Sequence, residues 1–219
     1  MGKPQHKVRI KWSPEFSYAI GLLTTDGNLS SDGRHFDFTS QDPEQIKNLM
    51  RCLGIKNKIG KKISGQTKRR IARVQFGDVN FYRFLLTIGL MPNKSKILTS
   101  LDIPDKYFFD FLRGHFDGDG TFYSYWDPRW KSSFMFYVEF IGSSKKHIEW
   151  LRDKINQFLT IKGHITKGAG HSCYQLKYAK SESLKLLPKL YHKESFPRLS
   201  RKYLKIKETL AIIGKRGLI

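Results

Sequence analysis

The most constraining feature of this 219-residue sequence is an internal duplication. Residues 111–122, FLRGHFDGDGTF, align with residues 18–29, YAIGLLTTDGNL, so that an internal glycine and a terminal Asp-Gly pair recur. Further along, residues 138–148, VEFIGSSKKHI, align with residues 36–46, FDFTSQDPEQI. The two matches have different offsets, as expected when loops change length while helices and strands persist. We therefore expect two copies of one structural unit.

Each copy carries the signals of a helix, two strands, a helix, two strands and a helix. Ser13 and Asp42 each precede a proline, which is the pattern of a helix N-cap followed by the first helical position. In RHFDFTS, Phe36 and Phe38 alternate with polar residues, which indicates a strand with one buried face. The third helix of the first copy is predicted over residues 79–90.

The two copies together predict one compact, pseudo-symmetric α+β globule with an N-terminal half, 1–103, and a C-terminal half, 104–219. In each half, helices would cover the apolar side of an antiparallel sheet and leave its other side polar and basic. Two such sheets side by side would form a long saddle. A DNA major groove is wide enough to admit β-strands, so such a saddle could lie along DNA.

The charge balance favours nucleic acid as the partner. The chain has 40 Lys and Arg residues against 19 Asp and Glu, a formal net charge of +21, and such a surplus is destabilising unless a polyanion offsets it. A ribosome-associated protein or a solvated basic surface remains an alternative. Cys52 and Cys173 form no zinc or disulfide pattern, and no apolar run matches a membrane span or a secretion signal. We expect an intracellular protein in a reducing compartment, either cytoplasm or organelle matrix, with no membrane partner.

Both copies end their first helix with an acid and a glycine, Asp26-Gly27 and Asp119-Gly120. A glycine there is typical of the left-handed residue that ends a helix, which would place each aspartate in the last turn beside unpaired carbonyls. A carboxylate is unfavourable at this negative end of the helix dipole, and a bound cation would reverse the sign. Mg²⁺ suits the position, because it takes oxygen ligands from carboxylates, water and phosphate. An ordinary helix stop followed by a turn is the alternative.

Gly21 and Gly114 lie inside these two helices, where glycine costs about 0.5 to 1 kcal/mol relative to alanine. Close contact between the helices would offset that cost. If the helices pack against each other and end together, Asp26 and Asp119 would share one metal-binding site.

The stretches AIGLLTTDG and FLRGHFDGDG resemble the paired motifs of the LAGLIDADG homing endonuclease family, in its single-chain form with two motifs. The resemblance covers nearly the whole chain, because the order of strands and helices after each motif also agrees. It implies a pseudo-twofold pair of αββαββα units, with the motif helices packed at the centre and two antiparallel sheets forming a DNA-binding saddle. It also implies a monomeric, site-specific endonuclease of intron homing that hydrolyses phosphodiesters in both strands of double-stranded DNA and leaves short 3′ overhangs. Two half-sites of about one helical turn each suggest an asymmetric target of roughly 20 bp.

The resemblance makes Asp26 and Asp119 the metal-binding catalytic pair. Thr25 and Gly118, which directly precede them, would lend backbone carbonyls to the metals. Mg²⁺ is the implied cofactor, and we expect Mn²⁺ or Ca²⁺ to substitute for it in binding.

The family often has a polar residue at the end of the second strand and a basic residue after the third helix, which position water and stabilise the phosphate. Gln41 fits the first catalytic role, and Ser143 has the equivalent position in the second copy. Lys94 fits the second catalytic role, and either Lys202 or Arg201 has the equivalent position in the second copy. Phosphate tethering or plain solvation remains the alternative for these lysines.

The sequence departs from the family motif at Thr24, where the first motif acid would stand, although Asp117 keeps that acid in the second copy. Arg113 and His115 also replace apolar residues of the first motif, which predicts an asymmetric helix interface. We expect His115 on the helix surface rather than in the role of a base.

Strand residues on the outward faces are expected to read the DNA, since Arg pairs well with guanine and Gln with adenine. The expected readers are Ser30, His35, Asp37, Thr39, Arg73 and Gln75 in the first copy and Tyr123, Tyr125, Tyr137, Glu139, Gln175 and Lys177 in the second. The expected backbone contacts are Lys61, Lys62, Lys68, Arg69 and Arg70.

Two other functions on the same fold remain open. One is an RNA maturase that assists its host intron RNA, and the other is a DNA-binding regulator that does not cleave. Retention of both motif acids argues against a loss of cleavage, although a maturase can keep them. A homing domain excised from an intein has weak support, because neither terminus carries the residues that splicing needs.

Overall fold

The computed structural model describes residues 6–63, 70–168, 172–193 and 195–219. The chain divides into two compact units. The first unit comprises Met1–Lys94 and Leu101–Gly118, and the second comprises Ser95–Ser100 and Asp119–Ile219.

The first unit contains one antiparallel four-stranded sheet in the order β1-β2-β4-β3. Its elements are α1 (Pro14–Thr25), β1 (Gly27–Leu29), β2 (His35–Ser40), α2 (Pro43–Leu53), β3 (Ile59–Ile63), β4 (Arg70–Gly77) and α3 (Val79–Thr87), followed by α4 (Phe108–Asp119), of which all but Asp119 belongs to this unit.

Capping side chains set the starts of these helices, as the sequence predicts. The Ser13 hydroxyl accepts a 3.1 Å hydrogen bond from the N–H of Phe16 at the start of α1. The Asp42 carboxylate accepts a 3.0 Å bond from the N–H of Glu44 at the start of α2. Each bond satisfies one of the donors that the first helical turn leaves unpaired.

The apolar side of the first sheet is an aromatic core. Phe36 and Phe38 of β2 are fully buried, in agreement with the predicted alternation. The ring of Phe36 stacks on that of Phe76 at a centroid distance of 4.7 Å, and Phe81 of α3 packs against both rings. Helix α3 ends at Thr87 rather than at the predicted residue 90, because Gly89 adopts a left-handed φ of 96°.

The second unit repeats this topology with a sheet in the order β5-β6-β8-β7. Its elements are β5 (Thr121–Trp126), β6 (Phe134–Gly142), α5 (Lys145–Leu159), β7 (His164–Lys167), β8 (Tyr174–Tyr178), α6 (Lys180–Leu190) and α7 (Ser200–Ile212).

The element order and the two antiparallel sheets confirm the predicted α+β fold with a duplicated αββαββα order. The division into halves at 103/104 stays a prediction drawn from the repeat, because most of the second motif helix, α4, belongs to the first compact unit. Over the described ranges, the protein has no helix with both the length and the hydropathy that a membrane crossing requires.

Candidate active site and nucleic-acid interface

Helices α1 and α4 approach each other at their internal glycines. A Cβ at Gly21 would overlap the carbonyl oxygen of Phe111 and lie 2.6 Å from the backbone nitrogen of His115. A Cβ at Gly114 would overlap the carbonyl oxygen of Tyr18. Only glycine permits this backbone-to-backbone contact, so the predicted close packing of the motif helices is confirmed within the first unit.

The end of α1 differs from the sequence expectation. Asp26 caps the helix with φ of −92°, and its N–H donates to the carbonyl of Leu22 at 3.0 Å. Neither Gly27 nor Gly120 is among the described glycines with positive φ, so the predicted left-handed cap is wrong. The glycine serves close approach instead. A Cβ at Gly27 would lie 2.6 Å from the carbonyl oxygen of Leu23, because β1 begins directly after the helix.

The carboxylate of Asp26 lies in a site formed by α1, α2 and α4. Gln45 of α2 is 4% exposed, and its Nε2 donates to Oδ2 of Asp26 at 2.8 Å. The same amide lies 3.4 Å from the carbonyl oxygen of Asp117. The hydroxyl of Ser40 donates to Oε1 of Gln45 at 2.6 Å, which fixes the amide so that its nitrogen faces the acid.

Gly118 completes this site in the first unit. A Cβ built on Gly118 would overlap the hydroxyl of Thr25 and lie 3.1 Å from Oδ2 of Asp26. The structure thus brings together three of the predicted metal-site residues, Thr25, Asp26 and Gly118. Asp119 is the next residue in the chain and ends α4. Its catalytic pairing with Asp26 stays a prediction.

Gln45 is a functional candidate that the sequence pattern does not predict. The predicted residue, Gln41, is exposed just after β2, whereas Gln45 lies in the first turn of α2 and reaches the acid. A signal was available, because Gln45 is the third residue after the N-cap Asp42, where a side chain points back toward the helix start.

The repeat places His147 in the position of Gln45. His147 is buried near the start of α5, its Nδ1 donates to the carbonyl of Thr99 at 2.8 Å, and its ring stacks on Trp150 at 5.2 Å. The neighbouring Ser144 caps α5 and donates to the carbonyl of Leu98 at 2.5 Å. The predicted Ser143 is half-exposed beside this cap. The two copies therefore differ in the chemistry of this position.

Lys94 and Lys202 occupy equivalent positions in the two copies. The Nζ of Lys94 donates to the carbonyl of Gly27, and the Nζ of Lys202 donates to the carbonyl of Gly120 at 2.5 Å. Both lysines are 7% exposed, whereas Arg201 is exposed. Each ammonium thus binds the carbonyl that directly follows a motif acid. Of the two residues expected to match Lys94 in the second copy, Lys202 is therefore the one with the equivalent contact.

A buried polar network links α1 and α4. The hydroxyl of Tyr18 donates to Oδ2 of Asp117 at 2.8 Å, and both residues are fully buried. Burial, reinforced by the negative charge of Asp117, raises the pKa of Tyr18 well above its ordinary value. Arg113 donates to Asp110 at 2.9 Å and lies over the Tyr18 ring at 5.4 Å. The helix interface is therefore asymmetric, as expected from Arg113, and this arginine lies in it as part of a buried ion pair.

His115 is 2% exposed, so its predicted position on the helix surface is wrong. It follows Gly114 at the glycine contact, where its backbone nitrogen faces Gly21. Its ring lies 6.1 Å from the ring of Phe111 one turn earlier in α4. The close helix contact buries this part of α4.

The polar side of the first sheet forms a concavity of about 610 Å³. Five of the six predicted readers of this copy line it, namely Ser30, His35, Asp37, Arg73 and Gln75. Lys7, Asn28 and Asn57 also line it and were not predicted. Asn28 could have been found from the alternation of β1, where it is exposed between the buried Gly27 and Leu29.

The remaining predicted DNA contacts of the first copy differ in their placement. Thr39 is half-buried opposite Arg73 in the strand register. Lys62 is exposed on β3, which suits its predicted backbone contact. Arg70 is exposed at the start of β4, where the alternation of the strand puts it on the side of Ala72 and Val74 rather than with Arg73 and Gln75. His35 pairs with Asp32 through Nδ1, and this hydrogen bond lowers the pKa of the Asp32 carboxyl. The predicted contacts Lys68 and Arg69 lie outside the described residues.

The corresponding face of the second sheet is aromatic. The rings of Tyr123 and Tyr137 stack at 5.2 Å with an interplanar angle of 16°. Tyr125 continues the stack, 6.3 Å from Tyr137 at 6°, and is 41% exposed. These three predicted readers therefore form one tyrosine stack across β5 and β6. The two copies would present different chemistry to a ligand.

Glu139 does not have the exposure that was predicted for it. It is 4% exposed on the central strand β6, between Thr121 and Lys177 in the strand register. Burial raises the pKa of Glu139, and Lys177, whose Nζ lies 3.8 Å from Oε1, opposes the rise. Gln175 remains half-exposed and accepts a 3.3 Å hydrogen bond from Thr166.

Solved structures of DNA-bound LAGLIDADG proteins share this fold. The I-LtrWI LAGLIDADG homing endonuclease bound to target DNA matches with a TM-score of 0.60 at 9% identity, covering 94% of this chain and 93% of that chain. I-DmoI in complex with DNA and Ca matches with a TM-score of 0.58 at 15% identity, covering 88% of this chain and 97% of that chain.

Full-length DUF199/WhiA from Thermatoga maritima matches with a TM-score of 0.56 at 15% identity, over 96% of this chain and 64% of that longer one. No protein-family model and no curated protein matches the sequence. The structural matches confirm the LAGLIDADG fold that the two motifs implied. At such low identity they establish the fold alone.

Proposed function

We propose that this protein is a site-specific endonuclease that cuts both strands of double-stranded DNA with the help of a divalent metal ion. The observation that carries the proposal is the placement of Asp26 beside Gly118, at the point where the two motif helices meet. Gln45 and Lys94 bind the acid and the carbonyl that follows it. A turn that only ended a helix would need neither contact.

The residues around Asp26 fit a hard divalent cation. They supply the carboxylate of Asp26, and the backbone carbonyls of Thr25 and Gly118 would add two further oxygens. The absence of a side chain at Gly118 lets the Thr25 hydroxyl and Oδ2 of Asp26 approach its backbone closely. Across the described parts of the chain, no group of three or more His, Cys, Asp or Glu side chains is placed to hold a metal. One carboxylate with a few backbone oxygens suits Mg²⁺, which binds through one or two carboxylates and completes its shell with water and phosphate oxygens.

When bound, an ion of this kind supplies Lewis-acid activation of water and stabilises negative charge on the phosphate and the leaving oxygen. The roles of the protein residues follow from their contacts. Gln45 holds Asp26 in one orientation, and Ser40 holds Gln45. Lys94 offsets the partial negative charge at the C-terminal end of α1. Asp26 and Asp119 would bind metal, one at the end of each motif helix.

DNA is the substrate that the charges favour. The net charge of +21 supplies a large nonspecific attraction for a polyanion. The concavity of the first sheet offers amide, carboxylate and guanidinium groups, the types of group that read base edges. One half-site per sheet, each about one helical turn, gives a target of roughly 20 bp. The DNA-bound structures that share the fold support this choice of ligand.

A DNA-binding protein that does not cut is the second candidate. The fold occurs both in proteins described as homing endonucleases and in WhiA, so the fold by itself does not decide between cutting and binding. The contacts of Gln45 and Lys94 around Asp26 favour cutting, since a protein that only binds DNA has no need to orient this acid.

Cleavage selection tests the proposal. The full chain is incubated with a DNA library randomised over the proposed target length in Mg²⁺, and the cut molecules are recovered and sequenced. We expect one family of related sites, cut on both strands with short 3′ overhangs, and no product in EDTA. Selective binding without any cut product would instead support the non-cleaving candidate. Tight binding to a structured intron RNA, with no selection of DNA, would support a maturase.

A further inference from the structure

Asp37 and Arg73 form a two-point ion pair on the polar face of the first sheet. The Nε of Arg73 donates to Oδ1 of Asp37 at 2.8 Å, and Nη2 donates to Oδ2 at 2.5 Å. The residues lie on the adjacent strands β2 and β4, where Asp37 is directly opposite Gln75 and Arg73 is opposite Thr39. The ion pair is thus a diagonal contact between neighbouring strands.

This pairing uses one edge of the guanidinium and leaves its end available. A guanidinium has five N–H donors in one plane, and Asp37 takes one from Nε and one from Nη2. The three remaining donors are on Nη1 and Nη2, at the tip of the side chain. Two parallel donors at that tip match the O6 and N7 acceptors of guanine in the major groove.

The ion pair also limits the motion of Arg73. An unpaired arginine loses much rotamer freedom when it binds, which weakens recognition. The side chain of Arg73 is 29% exposed and that of Asp37 is 16% exposed, so the arginine is held in place but is still accessible. Both residues line the 610 Å³ concavity, together with Asn28 and Gln75, which lie on either side of Asp37 in the same row of the sheet.

The local charge balance explains why an acid can lie on a DNA-binding face. Lys62 of β3 places its Nζ 3.9 Å from Oδ2 of Asp37, so two cations surround one carboxylate. The hydrogen bonds that Arg73 donates to Asp37 also raise the pKa of Arg73. The cluster keeps a net positive charge, and its carboxylate is directed to Arg73 rather than to a phosphate.

We propose that Asp37 is a positioning residue that holds the guanidinium of Arg73 end-on, so that Arg73 recognises a single guanine in the first half-site. This inference rests on the proposed DNA-binding function and adds to it the identity of one recognised base. Asp37 itself touches no base in this arrangement.

Replacement of Asp37 by Asn has two opposing consequences. The loss of a negative charge strengthens binding to every DNA sequence, because phosphate attraction does not depend on the base. The freed arginine loses its preference for one base. A bidentate arginine–guanine contact gives about fivefold discrimination or more, and most of that preference should disappear at one position. A residue with a merely structural role would not produce this position-specific loss.

The test measures binding of the full chain to duplex DNA in EDTA, which prevents cutting. A duplex library randomised over the target identifies the preferred sequence, and each position is then changed in turn. Arg73→Lys keeps the charge but lacks the planar fork, so it identifies the position at which Arg73 reads guanine. Asp37→Asn should lose the guanine preference at that same position and bind other sequences at least as well as the wild type.

A matched control is available in the loop after β5. Asp127 pairs with Arg129 at 3.3 Å, and the Arg129 side chain is 80% exposed. Asp127→Asn makes the same change of charge and should leave the preference at the Arg73 position intact. Asp37→Ser, measured in parallel, removes the carboxylate with a smaller side chain and should reproduce the loss. In an Arg73→Lys background, Asp37→Asn should have no further effect on base preference.

The possible failures can be told apart. Guanine preference that is lost in Arg73→Lys but retained in both Asp37 variants would overturn the positioning role and leave the proposed function standing. Uniform weakening of all sequences by Arg73→Lys would show that Arg73 binds phosphate, which also overturns it. A wild-type chain that selects no DNA sequence would contradict the proposed function itself.

Discussion

Gln45 donates a 2.8 Å hydrogen bond to the carboxylate of Asp26 from the first turn of a different helix. The amide is oriented by Ser40 and is almost completely buried. The contact fixes the acid before any ligand is present, which is the kind of preorganisation that an active site requires.

Removal of the Gln45 amide should therefore impair cutting more than DNA binding. Gln45→Leu keeps the approximate shape but leaves Asp26 without this donor. A hydrogen bond to a charged group is worth about 1.5 to 3 kcal/mol, so we expect the cleavage rate to fall by about tenfold or more. The measurement is the single-turnover cutting rate on a selected target, with binding affinity measured in EDTA.

The matched control is Gln41→Leu, which changes the exposed glutamine that the sequence pattern favoured. We expect its cutting rate to stay close to that of the wild type. A large loss in Gln41→Leu with no loss in Gln45→Leu would reverse the two assignments.

Lys94 and Lys202 should each serve the copy to which they belong. Lys94→Met leaves the carbonyl of Gly27 without its ammonium, and Lys202→Met does the same to Gly120. We expect each variant to slow the cutting of one strand, so that supercoiled plasmid carrying the target accumulates as a nicked circle. Strand-specific end labelling should show opposite strands for the two variants.

The exposed Arg201, changed to Met, is the control for the Lys202 variant and should give linear product at the normal rate. Equal slowing of both strands by each lysine variant would contradict the separate roles. Unfolding measurements with urea would show whether either variant has lost stability instead.

The glycine contact between α1 and α4 predicts a large loss of stability. Gly21→Ala places a methyl group against the backbone of Phe111 and His115, which cannot move aside as a flexible side chain can. Overpacking of this kind costs about 1 to 3 kcal/mol. Gly217→Ala is the control, since a Cβ there meets nothing within 4 Å. In urea unfolding, Gly21→Ala should have a lower free energy of unfolding than Gly217→Ala. Equal values for the two variants would contradict the close backbone contact at Gly21.

Burial of Glu139 predicts a pH-dependent stability. Its pKa is raised above the ordinary 4.5 by burial, with Lys177 opposing the rise and Tyr123 nearby on the same face. An acid whose pKa is raised in the folded state lowers the stability of the fold as pH rises from its unfolded-state pKa to its folded-state pKa, because the unfolded chain releases the proton first. Glu139→Gln removes this effect. We expect its advantage in unfolding free energy over the wild type to grow as pH rises above 4.5.

The control for this effect is Glu149→Gln, which changes a half-exposed glutamate of α5 that pairs with Lys145 at 3.3 Å. The difference in unfolding free energy between Glu149→Gln and the wild type should vary much less over the same pH range. If the unfolding free energies of Glu139→Gln and the wild type differed by the same amount at all pH values, burial of Glu139 would not be coupled to its ionisation.

The fold could be predicted from the sequence because its signals are local and occur twice. The N-caps at Ser13 and Asp42 and the alternation of Phe36 and Phe38 depend only on neighbouring residues. The duplication then gave the order of elements. Gly21 and Gly114 could also be interpreted, because a helix-interior glycine that is repeated has few explanations other than close packing.

The site was harder to predict because its contacts join distant elements. Gln45 reaches Asp26 only because the start of α2 lies beside the end of α1, which no local pattern specifies. The role of Gly27 cannot be told from the sequence pattern, because a left-handed cap and a close backbone approach both place glycine after a helix. The ion pair between Asp37 and Arg73 depends on a strand register that the sequence did not supply.

The most direct test of the proposed function is the effect of Asp26→Asn and Asp119→Asn on a supercoiled plasmid that carries a selected target, in Mg²⁺. Asp153→Asn, a change of the same charge at an exposed position of α5, is the control. We expect both motif variants to bind the target in EDTA nearly as well as the wild type and to yield no linear plasmid, while the control cuts normally. Linear product formed at the wild-type rate by both motif variants would contradict the proposal.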